Sequence, residues 1–278
     1  MDLLKIHTFI PNVIGVEQRT GVFLLHGLGG SVKIWEKLVQ LLTTCGYYCF
    51  ALDVLGFNQS PDIDETVSMQ QHVDYLIQTV RHCQKEYELL SLVGIGHSFG
   101  GQIIICANHD KPDLFHQIIA INSPLLEPDV MLQRMQRSIL GRLYHYERLT
   151  RLTIRYVERH LLLLAIAKQT SRLILRDYYH DHIDVFFDNR RFNNYFLNTR
   201  NVILNNNSQH CLNHHNVVLI FSQRDQYMLE SDIDQLGSCN QKINIIRILS
   251  NEHNPFIDPF YQDLIIVDML CILQQFKV

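Results

Sequence analysis

Short runs of apolar residues alternate along the chain with longer stretches in which apolar residues recur at helical spacing. The runs are rich in Val, Ile and Phe, and none is longer than an ordinary strand. They lie at residues 22–25, 47–52, 89–95, 118–121, 217–221 and 243–249. Continuous apolar runs of this kind predict strands that are buried on both faces, as in a mainly parallel sheet.

The stretches between these predicted strands have the pattern of helices. They cover residues 31–44, 68–87, 99–108 and 259–276. A repeated order of strand and helix is typical of proteins in which helices flank both faces of a sheet. The sequence therefore predicts an α/β fold with a mainly parallel central sheet.

The alternation stops between residues 125 and 211. Leu, Tyr and Arg recur there at helical spacing, and no run has the pattern of a strand. We interpret residues 125–211 as a helical cap, or lid, inserted into a core formed by residues 1–124 and 212–278. The end of this segment, residues 205–216, is rich in Asn and His and lacks an apolar period, which predicts a connection on the surface.

Composition narrows the classes of function. Hydrophobic residues make up 47% and charged residues 19%, as in globular proteins, and the net charge of -4 predicts no nucleic-acid partner. Residues 126–210 nevertheless hold 13 basic and 8 acidic residues, a net +5. Such a charge is typical of a solvated face, and the alternative is attraction of an anionic substrate or peripheral contact with a lipid surface.

The sequence also suggests a cellular compartment. Residues 1–15 lack the apolar run of a secretory signal, and the longest apolar run, 161–167, is far shorter than the roughly 20 residues of a membrane-spanning helix. The seven cysteines are an odd number and are widely scattered. These features predict a cytoplasmic protein with reduced thiols and without a transmembrane segment.

A pentapeptide matches the pattern G-x-S-x-G, in which small flanking residues permit a sharp turn that exposes a serine. Its residues are Gly96, His97, Ser98, Phe99 and Gly100. The pentapeptide lies between a predicted strand and a predicted helix, which is the setting that this motif requires. We therefore predict that Ser98 is a nucleophile, the alternative being a glycine-rich turn with an unreactive serine.

A second glycine-rich loop follows the strand predicted at residues 22–25. It reads His26-Gly27-Leu28-Gly29-Gly30. Such a loop leaves backbone N–H groups without partners, and acyl-transfer enzymes use such groups to bind the oxyanion of a tetrahedral intermediate. We predict that the N–H groups of Leu28 and Phe99 form this oxyanion hole, the alternative being an ordinary turn.

A serine hydroxyl becomes a strong nucleophile only when a base takes its proton, and a third group commonly orients that base. His253 lies between the last predicted strand and the last predicted helix, and Asp225 lies shortly after the strand at residues 217–221. Both positions fall at the edge of the sheet where the parallel strands end. We predict His253 as the general base and Asp225 as its partner, with Asp232 and Asp234 as alternatives.

Together these segments resemble the α/β-hydrolase superfamily over residues 1–124 and 212–278. The order Ser, Asp, His along the chain is that of the family. Residues 52–60, which read LDVLGFNQS, are similar to the family loop D-x-x-G-x-G-x-S, except that Asn58 stands where a second glycine is usual. Glu252 replaces the glycine that often precedes the histidine, but neither departure removes a predicted catalytic group.

The resemblance implies a capped serine hydrolase of the esterase type, which would cleave a small carboxylic ester with an apolar acyl group through an acyl-enzyme. This chemistry requires no cofactor. Hydrolysis of a thioester, an amide or a C–C bond by the same three residues is an alternative among enzymes. A ligand receptor that kept the fold without turnover is an alternative of another class.

Two polar clusters in the sequence contain residue types that bind metals. Neither has the paired spacing of a recognised zinc signature, so we predict no metal. Their members are His180, Asp181, His182 and Asp184 in one cluster, and His210, Cys211, His214 and His215 in the other.

Overall fold

The computed structural model describes most of the chain outside residues 136–158 and 175–207. The described residues are 3–11, 19–61, 67–135, 146, 148–149, 152, 156, 159–174, 208–212, 216–239, 243–256 and 258–275. Among them, no helix combines the length and the apolar character that crossing a membrane requires.

The described strands form one seven-stranded sheet. They are β1 (Ile6–Phe9), β2 (Thr20–Leu25), β3 (Tyr48–Leu52), β4 (Ser91–His97), β5 (Gln117–Ile121), β6 (Val217–Ser222) and β7 (Asn244–Ile248). Their order across the sheet is β1-β3-β2-β4-β5-β6-β7. Only β1 is antiparallel to its neighbour, and the other pairs are parallel. The predicted mainly parallel sheet is therefore confirmed.

Helices cover both faces of this sheet. The described α-helices are α1 (Glu36–Thr44), α2 (Met69–Glu86), α3 (Phe99–Asp110), α4 (Pro128–Met135), α5 (Leu161–Ile174), α6 (Glu230–Cys239) and α7 (Pro259–Gln275). Because successive side chains of a strand point to opposite faces, β2 supplies both cores. Val22 and Leu24 pack in the core that contains residues of α1 and α7, whereas Phe23 and Leu25 pack in the core that contains residues of α2 and α3.

Local sequence signals explain where two of these helices begin. Ser68 caps α2: its hydroxyl accepts a hydrogen bond from the N–H of Gln71, whose side chain accepts one from the N–H of Ser68. The segment predicted as one helix from residue 31 instead starts with a 3₁₀-helix, Val32–Trp35, and α1 follows. Ser31 caps this 3₁₀-helix by accepting from the N–H of Lys33.

Strand β1 is absent from the sequence-based prediction. It has only four residues, of which the first two are half-buried and the last two exposed. A strand of this kind has neither the continuous apolar run nor the alternation of apolar and polar residues that identifies a strand in a sequence. Its backbone pairs with the edge of β3, from Ile6 opposite Leu52 to Phe9 opposite Cys49. Tertiary pairing, which a local pattern does not contain, therefore specifies this strand.

The order of the strands creates a crevice. From β2 the chain crosses through α1 to β3 on one side, whereas from β4 it crosses through α3 to β5 on the other side. The loops that follow β2 and β4 therefore diverge at the carboxyl edge of two adjacent strands. Such a switch point is where open parallel sheets bind their ligands.

The segment predicted to be a cap contains α4, α5 and a 3₁₀-helix, Ser208–Cys211, among its described residues. The prediction of a surface connection at its end is wrong for part of that segment. Ser208, Cys211 and Leu212 are buried, and the 3₁₀-helix lies against α3. Cys211 at the end of this 3₁₀-helix and Leu212 directly after it join the core on that face of the sheet. The Asn and His residues around them in the sequence hide this apolar signal.

Candidate active site

Ser98 occupies a sharp turn between β4 and α3. Its backbone has φ 51° and ψ -119°, a conformation that costs free energy for a residue with a side chain. The flanking glycines make this turn sterically accessible. A Cβ atom on Gly100 would lie 2.4 Å from the carbonyl oxygen of Leu25, and one on Gly96 would lie 2.4 Å from the backbone nitrogen of Gly101. The turn therefore holds Ser98 half-buried at the carboxyl edge of the sheet.

The structure brings Ser98, His253 and Asp225 together. The Nε2 atom of His253 lies 2.8 Å from the Oγ atom of Ser98. The Nδ1 atom of His253 lies 2.7 Å from the Oδ2 atom of Asp225. Since Asp225 accepts at Nδ1–H, Nε2 is the ring nitrogen that can accept the serine proton.

The carboxylate of Asp225 is buried and fully partnered. Besides His253, it accepts hydrogen bonds from the N–H groups of Tyr227, at 2.6 Å, and Met228, at 3.1 Å. Burial raises the pKa of Asp225, but the charge and hydrogen bond of His253 and the two backbone donors outweigh it and leave the pKa below its ordinary value. Asp225 is therefore ionised at neutral pH.

The two alternative acids have other partners. Asp232 forms a two-pronged ion pair with Arg134, in which Nη2 and Oδ1 are 2.7 Å apart, and it accepts from the N–H of Leu229. Asp234 pairs with Arg247 on the surface. Neither carboxylate contacts His253.

Two side chains hold the backbone of the histidine loop. The carbonyl oxygen of His253 accepts hydrogen bonds from Nε2 of His97 and from Nδ2 of Asn122, each at 2.9 Å. Asn122 is anchored in turn by Ser222, whose N–H donates to Oδ1 at 2.7 Å and whose hydroxyl accepts from Nδ2 at 2.8 Å. Because these bonds join β4, β5 and β6 to the loop, they fix the position of His253.

His97 remains neutral in this network. Burial, together with the neighbouring His253, lowers the pKa of His97 to about 3. A neutral imidazole keeps one N–H, and the bond to the carbonyl of His253 places that proton on Nε2. The ring of Tyr227 packs edge to face against His253, with ring centres 4.6 Å apart.

The loop after β2 packs directly against the serine turn. A Cβ atom on Gly27 would lie 2.9 Å from Cβ of Ser98, so only glycine permits this approach. His26 shapes the loop: its Nδ1–H donates to the carbonyl of Gly27 at 2.7 Å, and its Nε2 accepts from the N–H of Val54 at 3.1 Å. The backbone N–H groups of Leu28 and Phe99 donate no hydrogen bond to the part of the chain that the structure describes.

Asn58 stands where the family pattern has a glycine, and its backbone adopts the left-handed conformation that glycine adopts readily. Its φ is 48°, in the left-handed region that asparagine tolerates better than most residues. Its Nδ2 donates to the carbonyl of Gly30 at 3.1 Å and to Oδ1 of Asp53 at 3.0 Å. The side chain thus connects the residue 52–60 loop to the loop after β2.

Sequence reasoning did not single out Asn122 or Tyr227. Asn122 follows β5 directly and Tyr227 is two residues after Asp225, so both lie at the carboxyl edge of the sheet, as the predicted site residues do. That position after a strand is the feature of the sequence that could have identified them.

Of the two polar clusters with metal-binding residue types, residues 180–184, His214 and His215 lie outside the described residues. Within the described ranges, no group of three His, Cys, Asp or Glu side chains has the arrangement of a metal site.

A family model matches residues 16–177, which are more than half of the chain, and its description is serine aminopeptidase, S33. Among curated proteins, Protein ABHD8 of Bos taurus is 30% identical over 124 residues, which are 44% of this chain and 28% of that protein. Monoglyceride lipase of Rattus norvegicus is 36% identical over 106 residues, which are 38% of this chain and 35% of the lipase. The chain thus spans about a third or less of the length of these relatives.

Solved structures resemble the whole chain. The enol-lactonase from Burkholderia xenovorans LB400 has a TM-score of 0.65 at 13% identity, covering 97% of this chain and 96% of that one. MGS-M2, an alpha/beta hydrolase enzyme from a Medee basin deep-sea metagenome library, has a TM-score of 0.67 at 16% identity, covering 98% and 95%. These likenesses show the α/β-hydrolase fold. With the matched family model they establish that the chain belongs to the S33 serine aminopeptidase family of α/β-hydrolases.

Proposed function

We propose that this protein is a serine hydrolase that cleaves carboxylic esters. The observation that carries the proposal is the pair of contacts on the two ring nitrogens of His253, 2.8 Å to Ser98 and 2.7 Å to Asp225. In this arrangement the imidazole can take the serine proton, while the carboxylate keeps the ring in the required tautomer and stabilises the imidazolium that forms.

Acylation begins when Oγ of Ser98 attacks the carbonyl carbon of the ester and its proton passes to Nε2 of His253. The carbonyl oxygen becomes an oxyanion, to which the N–H groups of Leu28 and Phe99 donate. The tetrahedral intermediate then collapses. The C–O bond to the leaving group breaks, His253 gives its proton to the departing oxygen, and the acyl group remains on Ser98.

Deacylation repeats these steps with water. His253, neutral again, takes a proton from a water molecule that attacks the acyl carbon. The second tetrahedral intermediate expels Oγ of Ser98, which recovers its proton from His253, and the carboxylic acid leaves. The protein is unchanged after one cycle, and the reaction consumes one ester and one water.

The surroundings of Ser98 support this mechanism. Gly27 and Gly100 allow the loop after β2 to approach the serine turn closely, so two backbone donors can converge on one oxygen atom. The bonds of His97 and Asn122 to the backbone of His253 hold the base before substrate arrives. Preorganised donors and a fixed base are what transition-state stabilisation requires.

For the substrate we propose a small ester with an apolar acyl group. The similarity to a monoglyceride lipase supports this class, and it makes a monoglyceride the first substrate to test. The binding surface for the acyl chain is proposed to be the inserted segment, residues 125–211, which follows β5 at the carboxyl edge of the sheet.

A substrate panel tests the proposal. Monoglycerides and p-nitrophenyl esters of increasing acyl length are compared with thioesters and anilides of the same acyl groups. We expect ester hydrolysis by the full chain and none above background by Ser98→Ala. Ser238→Ala, which alters an exposed serine on α6, is the matched control and should retain full activity. Equal activity of Ser98→Ala would exclude Ser98 as the nucleophile.

Hydrolysis of an amide bond is the second candidate, because the matched family is described as a serine aminopeptidase. The same three residues would perform it, with His253 donating its proton to the leaving amine. Aminoacyl p-nitroanilides in the panel separate the two candidates. A higher kcat/KM for these anilides than for every ester tested would replace esterase by aminopeptidase as the function.

A further inference from the structure

Two cysteines that play no part in the proposed reaction lie where α3 contacts the 3₁₀-helix Ser208–Cys211. Cys106 is on α3, the helix that begins directly after Ser98, and Cys211 ends the 3₁₀-helix at the close of the inserted segment. The two are 105 positions apart along the chain. Both side chains are buried in the same core, with exposed fractions of 5% and 7%.

The two thiols are in direct contact. The side chains of Cys106 and Cys211 lie within hydrogen-bonding reach of each other, and both line the same cavity. The backbones support this contact, because α3 and the 3₁₀-helix pack against each other. A disulfide usually joins Cα atoms about 4.4 to 6.8 Å apart, and the packing of these two elements places the backbones that carry the cysteines side by side.

A cavity of about 390 Å³ adjoins the pair. Its wall includes both cysteines, His109 and Asp110 from α3, and the first turn of α2. A cavity of this volume accommodates a molecule as small as hydrogen peroxide next to the sulfur atoms. Ser98, Asp225 and His253 are not among the residues that line it, so the cavity is separate from the candidate active site.

The contact makes the two sulfurs chemically unequal. The hydrogen bond from Cys106 lowers the pKa of Cys211 although burial and the charge of Asp110 oppose it, and the same contact, with burial, raises the pKa of Cys106. Cys211 is therefore the thiol that ionises first. Because the thiolate is the reactive form, Cys211 is the sulfur that an oxidant attacks.

We propose that Cys106 and Cys211 are a dithiol modification site that hydrogen peroxide converts into a disulfide. The thiolate of Cys211 attacks one oxygen of the peroxide, the O–O bond breaks, and hydroxide leaves to become water, which gives a sulfenic acid. The sulfur of Cys106 then attacks the sulfenic sulfur, the S–O bond breaks, and a second water leaves. Two thiols are oxidised and one peroxide is reduced to two waters.

This disulfide closes a loop that contains the whole inserted segment. It ties the end of that segment to α3, the helix that begins directly after Ser98. A cross-link over about 100 residues restricts the unfolded chain strongly, so the oxidised protein is more resistant to heat than the reduced protein. The proposal does not depend on the proposed function, because its readouts are a covalent bond and a thermal midpoint.

Peroxide treatment of the folded full chain tests the proposal. Cys45 and Cys271 are exposed, and their replacement by serine removes thiols that could cross-link two molecules. After oxidation the protein is denatured, alkylated and digested with trypsin without reduction. We expect tryptic peptide 86–134 to be joined to peptide 201–224, since each contains one cysteine of the pair. The intact mass should fall by two hydrogen atoms, and the thermal midpoint should rise by roughly 5 to 15 °C.

Two controls keep the outcome decisive. Cys211→Ser should abolish both the linked peptide and the thermal shift, whereas Cys83→Ser should keep both, because burial raises the pKa of Cys83 to about 12 and leaves it protonated. In the reduced wild-type protein, the trivalent arsenical phenylarsine oxide should protect Cys106 and Cys211 together from alkylation. Alkylation of both thiols after peroxide, or a linked peptide from another pair, would overturn the proposal, as would failure of the arsenical to protect them.

Discussion

At the scale of single residues, the site depends on hydrogen-bond polarity as much as on position. Oδ1 of Asp225 accepts two backbone N–H groups, and Oδ2 accepts Nδ1–H of His253. An asparagine at this position can satisfy the backbone donors with its oxygen, but its NH₂ group then faces Nδ1. The imidazole must present a lone pair to that group and carry its proton on Nε2, where it cannot accept from Ser98.

We therefore expect Asp225→Asn to keep the fold and to lower kcat by about 10⁴-fold, the effect on record for this exchange in another serine hydrolase triad. Steady-state hydrolysis of the best substrate of the panel measures it, and circular dichroism checks the fold. Asp234→Asn is the matched control, since Asp234 is exposed and pairs only with Arg247 among the described residues. If Asp225→Asn retains nearly full activity while Asp232→Asn is inactive, the acid has been assigned to the wrong residue.

Asn122 gives a second prediction at this scale. In Asn122→Asp the carboxylate still accepts the N–H of Ser222, and aspartate tolerates the left-handed backbone (φ 45°), but it donates nothing to the carbonyl of His253. We expect kcat to fall by roughly 10- to 100-fold while KM changes little, because the base is displaced and the substrate surface is not. Ser222→Ala keeps the bond from Asn122 to His253 and should have a smaller effect. An unchanged kcat in Asn122→Asp would show that the network does not position the base.

At the scale of elements, glycines decide how closely α3 approaches β2. A Cβ on Gly100 would meet backbone atoms on two sides, 2.4 Å from the oxygen of Leu25 and 2.6 Å from that of His26. Backbone cannot move aside as the end of a side chain can. The first turn of α3 would therefore be pushed away from β2, and the N–H of Phe99 would move with it.

Gly100→Ala should thus destabilise the protein by about 1 to 3 kcal/mol and abolish most of the activity. Gly237 on α6 provides the matched control, because a Cβ there would meet only the flexible end of Ile245, at 3.3 Å. Gly237→Ala should stabilise the helix by roughly 0.5 to 1 kcal/mol and leave activity unchanged. Urea unfolding and turnover measure both variants. Full activity in Gly100→Ala would contradict the close approach of the first turn of α3 to the end of β2.

The elements that the sequence predicted correctly are those whose own residues carry the signal. Five of the parallel strands, β2 to β6, are buried on both faces and have continuous apolar runs, and Ser68 with Gln71 marks the start of α2. In the edge strand β7, Asn244 and Arg247 are exposed, and three isoleucines supply the apolar signal. Strand β4 extends to His97, two residues beyond the predicted end, because Gly96 and His97 pair with neighbouring strands despite the weak strand preference of glycine. Strand β1 and the 3₁₀-helix at Ser208–Cys211, whose two end residues are buried, depend on distant partners, and no local pattern contains them.

The same distinction holds for the candidate site. Ser98, His253 and Asp225 were predicted from a motif and from positions after strands, and the structure brings them within hydrogen-bonding distance. The contacts of Asn122 with the backbone of His253 join residues 131 positions apart, and a sequence without its fold does not reveal them. Chemistry concentrated in a short motif is readable from sequence, whereas the groups that orient it are distributed over several elements.

At the scale of the whole molecule, buried histidines make stability depend on pH. Burial lowers the pKa of His72 to about 3, and its ring packs edge to face on Phe99, 4.9 Å between centres, beneath the serine turn. His97 has a similarly lowered pKa. In the unfolded chain an ordinary histidine has a pKa of about 6.5. Between these values the unfolded state binds more protons than the folded state, so stability rises with pH and is lost on acidification.

Each of these histidines should lower the free energy of unfolding by about 2 kcal/mol between pH 7 and pH 5. Replacing the buried His72 with leucine removes one such contribution, so His72→Leu should lose less stability over this interval than the wild type. Urea unfolding at the two pH values measures the difference. His82→Gln, an exchange of an exposed histidine on α2, should behave like the wild type. An identical loss of stability in His72→Leu would contradict the burial of a neutral imidazole.

Covalent labelling of Ser98 tests the central claim most directly. A fluorophosphonate has a tetrahedral phosphorus that resembles the acylation intermediate, so an activated serine reacts with it and unactivated serines do not. Mass spectrometry after digestion with trypsin should place one adduct on peptide 86–134, at Ser98. Labelling should be absent in Ser98→Ala and severely slowed in His253→Ala, with both variants folded by circular dichroism. An adduct on another serine, or none on the folded wild type, would contradict the assignment of Ser98 as the nucleophile.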